Sequence, residues 1–209
     1  MQAMNFRDVL LATTTIPLEA HFSYKSSYMG FEFSGFDEKR KRVMGITHGK
    51  GLASSAITDP RFVWPVPDSW TLKQAATVPV VYATVLYAFH YRGRIKPGKT
   101  VLIHAVTGGV GQAAISTALN HGCNVLTTVG TPDKRELIKK LFPQIKDEQI
   151  GNSRDTSFEA QFMELTVCTT LTRTSHWVCG HSCKILNSTA LSYTMPWRTR
   201  WRVRTVWVT

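Results

Sequence analysis

Apolar and polar positions fall in blocks along this chain, and the most regular block predicts a β-α-β unit. It follows Lys96-Pro97-Gly98-Lys99, a turn signal. Val101-Leu102-Ile103-His104-Ala105 is a short, largely apolar run that predicts a buried strand. Val106-Thr107-Gly108-Gly109-Val110-Gly111 comes next, and residues 112–120 set Ala113, Ala114, Ile115, Ala118 and Leu119 at helical spacing. Gly122 suits the helix C-terminus, and a second strand is predicted over residues 124–129. The glycine-rich turn thus lies at the C-terminal end of the first strand.

Upstream the pattern changes. Residues 1–80 carry short β-type runs broken by Gly, Pro and Asp, with no sustained helical period. Residues 72–91 read as helices interrupted at Val78-Pro79.

Composition divides the chain differently. The 209 residues hold 25 Lys and Arg against 14 Asp and Glu, a formal net charge of +11. With 43% hydrophobic residues, wholesale disorder is excluded. No stretch approaches the roughly 20 apolar residues of a membrane span. The N-terminus lacks a signal-peptide pattern, and four cysteines are too few for a disulfide scaffold, so a reducing, cytoplasmic setting is expected. The charge invites a nucleic-acid reading, but its distribution argues otherwise. Glu164 is the last carboxylate, and the 45 residues after it hold six cations, three of the four cysteines and four of the six tryptophans. Residues 1–164 therefore carry only +5.

The glycine turn carries the specific chemistry. Backbone N–H groups at a helix N-terminus, favoured by the helix dipole, bind a dinucleotide pyrophosphate. Glycines serve where a Cβ would block the phosphate or the packing of helix on strand. The bland alternative is a set of glycines that merely make a tight turn. The second strand ends in Val129-Gly130-Thr131-Pro132, without the carboxylate that accepts the ribose 2′-hydroxyl of NAD. Asp133 lies beyond the strand end, while Lys134 and Arg135 suit the 2′-phosphate of NADP unless they are simply solvated helix residues.

At this point a family resemblance enters. Ala105-x-x-Gly108-x-x-Gly111, continuing through Gly109, Val110 and Gln112, resembles the cofactor turn of medium-chain dehydrogenases/reductases. Asn5-Phe6-Arg7-Asp8-Val9, Gly30-Phe31-Glu32-Phe33-Ser34-Gly35, Arg42-Val43-Met44-Gly45 and Val78-Pro79-Val80-Val81-Tyr82 resemble, more narrowly, the enoyl reductase domain of animal-type fatty acid synthase. So do Thr127-Thr128-Val129-Gly130 and Asn152-Ser153-Arg154-Asp155-Thr156-Ser157-Phe158-Glu159. One departure is Val106, where that family usually has glycine.

The resemblance implies an α/β fold, with a partial GroES-like irregular β domain (residues 1–80) followed by an incomplete Rossmann-type parallel sheet (residues 81–164). It implies a truncated chain with an unrelated, basic Thr/Trp/Arg-rich tail over residues 165–209. The implied function is NADPH-dependent reduction of trans-2-enoyl thioesters in fatty acid biosynthesis, as an enoyl reductase module with impaired activity. The partners implied are an acyl-carrier-bound enoyl substrate and other synthase domains, with no specific nucleic acid and no membrane. Cofactor-binding positions implied or argued are Thr84, Ala105, Thr107, Gly108, Gly109, Val110, Gly111, Gln112, Lys134 and Arg135. Thr84 matches a threonine that approaches the nicotinamide; it also reads as an ordinary helix threonine. No metal is expected. The zinc-dependent branch has a histidine where this chain has Phe31, and no cysteine precedes Cys123. Glu32 is then structural. The proton-donating tyrosine of some polyketide enoyl reductases has Thr15-Ile16-Pro17 in its place, and no catalytic acid is named.

The tail reads as a shifted-frame or read-through product. Cys179-x-His181-x-Cys183 with His176 matches no common zinc spacing. Arg198, Arg200, Arg202 and Arg204 alternate with Thr199, Trp201, Val203 and Thr205 in a strand-like pattern. Two other functions therefore stand beside the enoyl reductase: a stand-alone quinone-oxidoreductase-like NADPH reductase, and a non-catalytic fragment whose tail binds polyanions.

Overall fold

The structure is a computed structural model, and it describes residues 1–13, 29–49 and 51–167. Thr15-Ile16-Pro17, the tail cysteines and the alternating arginines lie outside the described residues. The described residues divide into two compact units, with the boundary between Ala83 and Thr84.

The first unit opens with α1 (Phe6–Ala12), a helix that sequence periodicity does not predict. Its origin is a local cap: the Asn5 N–H donates to Asp8 Oδ2 at 2.8 Å, closing the first turn. Strands β1 (Glu32–Phe36), β2 (Arg42–Ile46) and β3 (Val63–Pro65) form an antiparallel sheet in that order, with Ser34 opposite Met44 and Met44 opposite Trp64. Gly45 permits this crowding, since a Cβ there would meet the Phe62 carbonyl at 2.6 Å and the Phe33 ring at 2.8 Å. Helix α2 (Leu72–Ala75) is capped by Thr71 and Gln74, and α3 (Pro79–Leu86) starts at the proline that interrupts the helical reading.

In the second unit a π-helical turn, Tyr87–Arg92, prolongs α3. Then come β4 (Thr100–His104), α4 (Gly109–Asn120), β5 (Asn124–Val129), α5 (Pro132–Leu141), β6 (Ile150–Asn152) and α6 (Ser157–Val167). The three strands form a parallel sheet in the order β4-β5-β6, with Leu102 opposite Leu126 and Thr128 opposite Gly151. Val101, Leu102, Ile103 and the whole of residues 125–129 are buried, as strands covered on both faces require. Leu102, Leu126, Phe158 and Phe162 make one core cluster under α6, with Leu165 packed against it. Gly151 lets α6 approach, because a Cβ there would lie 2.4 Å from Phe158 Cβ. Helix α6 continues past Glu164 to Val167, so the break in charge falls inside an element.

Candidate cofactor site

The glycine turn is built from two backbone conditions. Strand β4 ends at His104, and Ala105 turns the chain with φ of +55°, a left-handed conformation that few non-glycine residues adopt. Gly108, exposed, is the N-cap of α4 and has no side-chain cap bond. Its N–H donates to the Ala105 carbonyl at 3.1 Å, and its carbonyl accepts from Gln112 N at 2.9 Å. The helix starts at Gly109, earlier than the apolar spacing predicts, so Gly109, Val110 and Gly111 form its first turn. Gly111 is buried against the strand end: a Cβ would lie 2.5 Å from Val106 Cα and 2.6 Å from the Ala105 carbonyl oxygen. This position in the first turn of α4 can therefore seat only as glycine, while Gly108 and Gly109 leave the helix mouth open to solvent. Gln112 Nε2 donates to the Thr107 carbonyl at 2.9 Å and fixes the loop from the other side. Val106, the departure from the family pattern, is buried in the turn.

The remaining candidates separate. Thr84 is exposed on α3. Lys134 is exposed in the first turn of α5. Arg135 is committed elsewhere: Nε donates to Asp147 Oδ1 at 3.1 Å and Nη2 to the Asp147 carbonyl at 2.8 Å. Lys139 joins the same carboxylate at 2.9 Å. These two cations hold the Asp147 carboxyl down at about 2.

Sequence reasoning missed Arg154 as a cofactor candidate. It follows β6, and its Nε donates to the Gly130 carbonyl at 3.3 Å, at the end of β5. Only the register of β6 against β5 brings it there. Nothing in the local sequence around Gly130 signals it. His104 and Thr128, on adjacent strand ends, are joined Nδ1 to Oγ1 at 2.7 Å, and the His104 ring packs edge-on to Phe158.

In the first unit, Glu32 does what a structural residue does. Its oxygens accept from Asn5 Nδ2 and Val80 N, both at 2.9 Å, and burial raises its pKa above 4.5. Asp8 accepts from Asn5 N and Gly30 N. Among the described residues no three His, Cys, Asp or Glu side chains gather in a metal-binding group.

Comparison with known proteins gives this geometry a lineage. The chain superimposes on the CurK enoyl reductase with a TM-score of 0.68 at 34% identity, over 78% of this chain and 52% of that one. Its structural neighbours are enoyl reductases of the medium-chain dehydrogenase/reductase superfamily, and its curated relatives are polyketide synthases. Among curated proteins, the chain is 39% identical over 167 residues to erythronolide synthase EryA2 of Saccharopolyspora erythraea, covering 78% of the chain and 4% of the synthase. It is 40% identical over 158 residues to the reducing polyketide synthase hmp8 of Hypomyces subiculosus, covering 74% of the chain and 7% of that protein. It thus spans a small part of those relatives and about half of the solved enoyl reductase chain. A quinone oxidoreductase of Thermus thermophilus, at 24% identity and a TM-score of 0.64, shares the fold. No family model matches the chain.

Proposed function

We propose that the chain serves as an NADPH-dependent enoyl reductase module of a cytoplasmic multidomain synthase, reducing trans-2-enoyl thioesters held on an acyl carrier. The observation that carries this reading is the mouth of α4, where Gly108 and Gly109 are exposed and Gly111 is sealed against Val106. A pyrophosphate fits a helix end of this kind, with backbone amides as donors and no side chain in the way. When bound, NADPH supplies the hydride for the β-carbon. The amides of Gly109, Val110 and Gly111 hold the diphosphate, Ala105, Thr107 and Gln112 shape the loop, and Lys134 lies on the adenosine side. Thr84 is assigned to the nicotinamide side by the family resemblance. A mycobacterial relative, 25% identical over 79% of this chain and solved as a complex with NADPH, supports the cofactor.

The polyketide synthase relatives and the fatty acid synthase resemblance meet at one functional group, the enoyl thioester. The relatives support other synthase domains as partners; a saturated fatty acyl product is the finer reading and rests on the shared segments. The test is NADPH consumption with crotonyl-pantetheine, with the saturated product identified by mass. Turnover of that thioester is the expected result. Turnover of a quinone alone would favour the second reading, which stands on fold.

A further inference from the structure

We infer that the hairpin between β1 and β2 is a docking surface for an acidic protein face, with Lys39, Arg40 and Lys41 as its cations and Phe36 as its apolar contact. The surface lies in the first unit and needs no dinucleotide. Only the source of the partner, a neighbouring domain of the synthase, rests on the reading above. The loop is built to keep its charge outward. Strand β1 ends at Phe36 and β2 begins at Arg42, opposite each other in the ladder. Between them Asp37 organises the turn. Its N–H donates to the Lys41 carbonyl and its carbonyl accepts from Arg40 N, both at 3.0 Å. Its Oδ1 accepts from Lys39 N at 2.9 Å and Lys41 N at 2.8 Å, so this carboxylate is bound to backbone. Arg42 is turned back onto the fold, donating to the Asp68 and Trp70 carbonyls. Lys39, Arg40, Lys41 and Glu38 are exposed, and among the described residues none of their side chains enters an ion pair.

Arg40 supplies an independent observation. Its φ is +60°, the left-handed conformation that hairpin loops of this kind ordinarily give to glycine. A side chain there costs conformational energy, and no ion pair among the described residues offsets it. Glycine would close the same turn without that cost, so what the position contributes is the charge. Phe36, at the base of the loop, is 61% exposed, which sets an aromatic ring beside the cations. Arginine and aromatic rings together are what protein interfaces favour. A polyanion would engage the cations and leave the ring uncovered. Carboxylates around an apolar centre match both.

The test is titration of the full-length chain with three probes: a fluorescein-labelled peptide of Glu alone, one of Glu with Leu at every fourth position, and heparin. The variants are Arg40→Gly, the pair Lys39→Gln and Lys41→Gln, Phe36→Ser, and a tail control carrying Arg200→Gln, Arg202→Gln and Arg204→Gln. Arg40→Gly is expected to weaken the Glu/Leu peptide about two- to fivefold, the worth of one exposed ion pair, without lowering the unfolding midpoint. The lysine pair should weaken it about 5- to 10-fold. Phe36→Ser should weaken the Glu/Leu peptide and leave the Glu peptide and heparin unchanged. Unchanged peptide affinity in both Arg40→Gly and the lysine pair overturns the surface, as does a loss confined to the tail control. A Phe36→Ser variant that binds the Glu/Leu peptide like the wild type overturns the protein partner in favour of a polyanion. Turnover of crotonyl-pantetheine, which carries no partner domain, should be unchanged in Arg40→Gly. Absence of that turnover in the wild type overturns the module reading and with it the synthase as source, and the peptide affinities alone then decide the surface.

Discussion

Gly111 is the residue on which the proposed site turns. Its side-chain direction points into Val106 Cα and the Ala105 carbonyl, both backbone and neither able to step aside. Gly111→Ala should therefore move the first turn of α4 off the strand end, destabilising the protein by about 1–3 kcal/mol and lowering NADPH affinity at least tenfold. Thermal unfolding and fluorescence titration measure the two effects. Gly108 is the contrast: a Cβ there would meet only the Ala105 carbonyl oxygen, at 3.5 Å, so Gly108→Ala should fold normally.

A second residue-level prediction concerns pH. Burial raises the Glu32 carboxyl above 4.5, so the folded state holds a proton that the unfolded chain has already released. Its contribution is complete below pH 4.5 and is lost as pH rises through the folded value. Glu32→Gln should flatten the fall in stability on that alkaline side, read as the unfolding midpoint across a pH series. The short α1 and the pairing of Asn5 with both Asp8 and Glu32 explain why sequence patterning overlooks this part of the fold. Such contacts are set by capping and by long-range hydrogen bonds, and neither has a period.

Among the elements, β4, α4 and β5 are readable because each carries its own signal: a buried apolar run, a row of small residues and a glycine at each helix end. Gly122, with φ of +70°, does end α4 as its position implies. The cation assignment is not readable in the same way. Lys134 and Arg135 look equivalent in sequence, yet one is exposed and the other is bound to Asp147, in the turn between α5 and β6. Arg154 is distant in sequence and adjacent only through the pairing of Val129 with Asn152. Helix α6 reports on that pairing. Phe162 is fully buried between β4, β5 and Gly151, and Phe162→Ala should cost about 3–5 kcal/mol. Chemical denaturation would show a shifted midpoint; an unchanged one would mean that α6 does not secure β6.

For the whole molecule, the net charge of +11 misleads if it is taken as one number. Residues 1–164 carry +5, and the rest belongs to the segment beyond Glu164. If that segment binds polyanions, a chain ending at residue 167 should elute from heparin at lower salt than the full-length chain. Equal elution would place the affinity in the two described units instead. No helix among the described residues is long and apolar enough to cross a membrane.

The order β4-β5-β6 has one more consequence, in exchange kinetics. Among the described strands of the parallel sheet only β5 is hydrogen-bonded on both sides, and it is buried along nearly all its length. The turn holding Gly111 hangs from one of its neighbours and the loop holding Arg154 from the other. Any fluctuation that opens β5 releases both at once. A dinucleotide gripping both loops would therefore slow amide exchange most in β5, a strand whose backbone need not touch the ligand.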